Sequence, residues 1–110
     1  MILSNFFTAL HNPEFPEAYS GFGCIHFVQE QYDTALADFK TAQGLKPDSE
    51  FNMAALAVTH HALGQVEEAA HLWKQLVERD ANYQDANWVK EKLTLAEPMV
   101  EEARKLIARL

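Results

Sequence analysis

Basic residues are missing from the first third of the chain: residues 1–39 hold five acids and no lysine or arginine. The formal charge over all 110 residues is −7, so no dense basic patch exists to neutralise phosphates, which argues against a nucleic-acid partner. Cysteine is almost as scarce. Cys24 stands alone, which excludes an internal disulfide framework and favours a reducing compartment. Glycine and proline number four each, too few for a turn-rich β-protein. Long uninterrupted apolar runs are lacking as well. The longest charge-free stretch, residues 51–66, is broken by Asn52, Thr59, His60 and His61, so membrane insertion is not expected. The apolar start, Met1 to Phe7, has no basic flank of the kind a secretory signal carries. These absences describe a single soluble, cytoplasmic domain with 48% hydrophobic residues, enough for a packed core.

What the chain does contain is a repeat. Ala35, Ala69 and Ala103 stand 34 residues apart, followed four positions later by Phe39, Trp73 and Ile107. Val66-Glu67-Glu68-Ala69 is echoed by Val100-Glu101-Glu102-Ala103. A small residue four positions before a large apolar one puts a close-approach point and a bulky anchor on one helical face. Upstream, Tyr19, Phe22, Gly23 and His26 share a face and are matched 34 residues later by Met53, Leu56, Ala57 and His60. Helices are expected over 2–11, 17–29, 32–45, 50–63, 66–79, 83–95 and 98–109. Pro16 and Pro98 suit opening turns, Asp48 or Ser49 offers an N-cap, and Gly64-Gln65 makes a turn. The last helix is expected to bury Met99, Ala103, Leu106 and Leu110, and to pair Glu101 with Lys105 on its outer face.

These residues resemble a tetratricopeptide repeat protein. In the first repeat, residues 16–49, the matching positions are Tyr19, Phe22, Gly23, His26, Ala35, Phe39 and Pro47. In the second, residues 50–83, they are Met53, Leu56, Ala57, His60, Gly64, Ala69, Trp73 and Ala81, the last standing where proline is usual. Residues 84–110 fit less well, with Trp88 one place late and Lys90 and Glu91 where apolar and small residues belong. The resemblance therefore implies an atypical capping repeat there, and residues 1–13 look like the second half of an incomplete leading repeat. It implies an all-α fold: a right-handed superhelical stack of antiparallel helix pairs, an α-solenoid of about seven helices.

The resemblance also implies a role. Such domains bind partners on the concave surface lined by the first helix of each pair. That surface would comprise Ser20, Cys24, Phe27 and Val28, then Phe51, Ala54, Val58 and His61, and finally Trp88, Lys92 and Leu95. Residues 18–29 and 51–66 are free of charge, which fits either an apolar groove or a face filled by neighbouring side chains. A carboxylate-gripping groove is not expected, because only Lys92 supplies a cation. The fitting ligand is an apolar helix or extended segment of another protein. In an open groove, Val58→Glu or Phe27→Asp is expected to spare stability and abolish binding. The five histidines form no His-x3-His pair and Cys24 has no partner thiol, so neither a metal, a cofactor nor catalysis is expected. The function that results is a non-enzymatic adaptor or scaffold, the alternative being an assembly chaperone that shields one client's apolar segment. Homo-oligomerisation is left open.

Overall fold

The computed structural model describes residues 15–110, so the helix expected over residues 1–13 lies outside the described residues. Among the described residues there are six α-helices, one 3-10 turn and no strand, which makes the fold all-α. Helix α1 spans Pro16–Val28, α2 Tyr32–Leu45, α3 Glu50–Ala62 and α4 Val66–Arg79. The 3-10 turn Ala81–Gln84, α5 Ala86–Leu93 and α6 Glu97–Ala108 complete it. The first four helices repeat residue for residue: α3 begins and ends 34 positions after α1, and α4 does the same after α2.

The turns repeat with the helices. At the end of α1 the Gln31 amide donates to the His26 carbonyl at 2.8 Å, and the Glu30 amide to that of Phe27 at 2.9 Å. Gln65 donates to His60 at 2.9 Å and Gly64 to His61 at 3.0 Å in the same way after α3. Both turns use a left-handed residue to satisfy the last carbonyls of the helix. Gly64 takes that conformation freely at φ 82°, whereas Glu30 holds it at φ 63° against its own Cβ. The entry to α3 is capped by Ser49, whose Oγ accepts from the Asn52 amide at 3.2 Å.

Helices α1 and α2 form one pair and α3 and α4 another, joined where α2 packs on α3. Ala35 and Ala69 are fully buried and allow close approach, with Phe39 and Trp73 equally buried beside them. At Gly23 an added Cβ would come within 2.5 Å of the Phe39 ring. Helix α3 is enclosed on every side, by α4, α2, α6 and α1, and all of residues 52–61 are buried. That enclosure explains its charge-free sequence. Its polar groups are largely satisfied: Ser20 Oγ donates to Asn52 Oδ1 at 2.8 Å, and Thr59 Oγ1 to the Ala55 carbonyl at 2.7 Å.

Beyond α4 the period breaks. The Trp73 indole donates to the Tyr83 carbonyl at 2.8 Å, while the Tyr83 hydroxyl donates to Glu50 Oε1 at 2.7 Å, pinning the 3-10 turn across both helices of the second pair. Asp85 Oδ1 accepts from the amides of Asn87 and Trp88, which starts α5 later than the expected residue 83. Thr94, left-handed at φ 54°, stops it at eight residues. Helix α6 then folds back. It packs chiefly on α3 and also meets α1, α4 and α5, instead of serving only as the second half of a third pair. Met99, Ala103 and Leu106 are fully buried as expected, but Leu110 is 45% exposed because it lies past the end of the helix. Glu101 lies 3.7 Å from Arg104 and Glu102 3.5 Å from Lys105, so the expected Glu101–Lys105 pair is replaced by two contacts at three-residue spacing.

Candidate partner-binding face

The expected groove residues do not form one channel. Phe27, Ala54 and Val58 belong to the hydrophobic core, with Val58 fully buried, so an open channel through them is corrected. The cause is α6, which covers the face of α3 that carries His61. His61 is itself buried, its Nδ1 2.5 Å from Glu102 Oε2 on α6. Because a carboxylate only accepts, Nδ1–H donates, and Nε2 is left buried without a partner among the described residues. A glutamate at Val58 would enter this core unpaired and cost several kcal/mol, so the expectation that Val58→Glu and Phe27→Asp spare the fold is also overturned.

The remaining positions stay at or near the surface, in separate places. Ser20 and half-buried Phe51 line a shallow depression with Glu17, Lys46, Ser49 and Asn52 at the start of α3. Half-buried Trp88 sits edge-on to Tyr83 at 5.0 Å, Lys92 is exposed and Leu95 is buried. Cys24 and Val28 come together with Ile25 and Gln29 in a predominantly apolar surface depression on α1. Here Ile25 is 52% and Val28 50% exposed, on a helix with no charge between residues 18 and 29. Burial pushes the Cys24 thiol above its ordinary value, so it presents sulfur as a small apolar group.

Ile25 was not among the residues expected from the resemblance, which assigns faces by repeat register. The signal available in the sequence was a surplus: Tyr19, Phe22, Gly23 and His26 already supply one packed face, leaving Ile25 and Val28 for another. The histidines are held by neighbours. His26 Nδ1 lies 2.6 Å from Asp38 and His60 Nδ1 2.6 Å from Gln65. His71 stands three places after Glu68, but its Nε2 accepts from Gln75 at 3.0 Å. No group of three or more metal-ligating side chains occurs among the described residues. Nor is any helix there long and apolar enough to cross a membrane.

Set beside family models, curated proteins and solved structures, the chain matches none of them.

Proposed function

We propose that the protein is a non-enzymatic protein-interaction module, with the apolar face of α1 as its docking surface. The observation that carries this reading is the half-exposed pair Ile25 and Val28, flanked by Cys24 and Gly21, on a helix whose central turns hold no charge. Exposed apolar side chains gathered in one place favour association, because covering them removes apolar area from water at roughly 25 cal/mol per Å². The resemblance to tetratricopeptide repeats supports the same choice, since it assigns Ser20, Cys24 and Val28 to the binding surface. On this reading the groove is short: α1 contributes its open part, and α6 fills the part over α3. An apolar helix suits it better than a charged tail, because no cation borders Cys24, Ile25 and Val28.

The test is Val28→Asp, a change at an exposed site that should shift stability by no more than about 0.5 kcal/mol. Capture of a partner should fall at least about tenfold while the melting curve is retained. Unaltered capture by Val28→Asp would move the docking surface elsewhere.

A further inference from the structure

Resting on that reading, we propose that the occupant of the α1 face is a second copy of this chain, paired with it through antiparallel α1 helices. Ala18, Gly21, Ile25 and Val28 fall at successive spacings of three, four and three, the seam of a paired helix. Gly21, Ile25 and Val28 are exposed and Ala18 is half-buried.

A two-fold axis beside residue 23 sets Ala18 of one copy against Val28 of the other, and Gly21 against Ile25. Each small residue then receives a large one, and the same contacts recur on the other side of the axis, as an isologous interface requires. Among the described residues nothing lies within 4 Å of a Cβ built at Gly21, so the hole there is open to them. Charge leaves this face as the place where two copies can meet. Two chains of −7 repel over most orientations, but residues 18–29 carry no charge and give them a neutral meeting place. Glu17 and Glu30 fall at the two ends of the seam, where salt screens them, so association should tighten as ionic strength rises. A 13-residue helix is only about 20 Å long, so the contact falls short of the standard ~800 Å² per partner and the dimer is a weak one.

Sedimentation equilibrium of the full chain from about 10 µM to about 1 mM, the range suited to so small an interface, tests this. The wild type should pass from monomer to dimer. Gly21→Ile should weaken self-association at least about tenfold, by setting isoleucine against isoleucine, while keeping the melting temperature. Ile25→Ala should weaken it as well. An equimolar mixture of the two variants should regain dimer, because the enlarged residue 21 of one copy meets the shortened residue 25 of the other.

A wild type that stays monomeric throughout, or a Gly21→Ile variant that dimerises like the wild type, overturns the proposal. A monomer in which Ile25→Ala lowers the melting temperature would instead assign the face to the chain's own residues 1–14. A monomer whose Val28→Asp variant loses a different partner would defeat the self-pairing and leave the interaction module standing. If Val28→Asp changes nothing either, both readings fall.

Discussion

Cys24 shows how burial sets the behaviour of a single residue. Its thiol is held above the ordinary value by desolvation, which disfavours the thiolate, and the thiolate is the reactive form. Alkylation by iodoacetamide should therefore be slower than for a free thiol at pH 7 to 8, and should keep rising at pH values above the ordinary thiol range of about 8.5. A rate that levels off near or below that value would contradict the burial argument. Val28, one turn further along the same patch, is half exposed, so a charge is tolerated there. Val58 has no such freedom, because every side of it is covered by protein.

At the scale of the element, the two repeats differ at the residue that ends the first helix of each pair. Both turns need a left-handed conformation; the second has Gly64 and the first Glu30. Glu30→Gly should stabilise the fold by about 0.5–1 kcal/mol, as the Cβ penalty at this position disappears. Chemical denaturation would check this, and a loss of stability would mean that Glu30 makes a contribution beyond its backbone. Helix α1 offers a second contrast. Gly21→Ala adds a methyl group into open space and gains up to about 1 kcal/mol of helix propensity. Gly23→Ala drives a Cβ into the buried Phe39 ring and should cost about 1–3 kcal/mol. Equal effects from the two substitutions would contradict the packing described between α1 and α2.

The whole molecule depends on how α6 returns to the centre. Its buried stripe of Met99, Val100, Ala103 and Leu106 closes the face of α3, and His61–Glu102 is the buried polar tie between the two helices. Removing one partner leaves the other stranded. Glu102→Ala would leave both His61 ring nitrogens unbonded, at a cost of about 1–3 kcal/mol, whereas replacing both residues with leucine should be close to neutral. A double-mutant cycle followed by urea unfolding measures this coupling; additive effects would mean that His61 and Glu102 do not interact in solution. Because α6 also meets α1 and α4, its loss of anchoring should lower the single cooperative transition of the molecule rather than melt one end alone.

Much of this architecture can be read along the chain, because helix pairing within 34 residues rests on local and neighbouring contacts. Ala35 and Ala69, the large residues four positions later, and the turns before Tyr32 and Val66 locate four helices and their order. The charge-free run of α3 likewise announces burial, though not by what. The neighbours of the last helix are not legible in the sequence, for a physical reason: an apolar stripe such as Met99, Ala103 and Leu106 shows which side of a helix is covered and is silent about the neighbour that covers it. Helix α6 chose α3 over an exclusive pairing with α5, a contact linking His61 and Glu102 across 41 positions. That long-range choice turned Val58 and His61 from groove lining into core, while Ile25 and Val28 stay among the large apolar side chains facing water, with Phe15, Leu45 and Leu110 elsewhere on the surface.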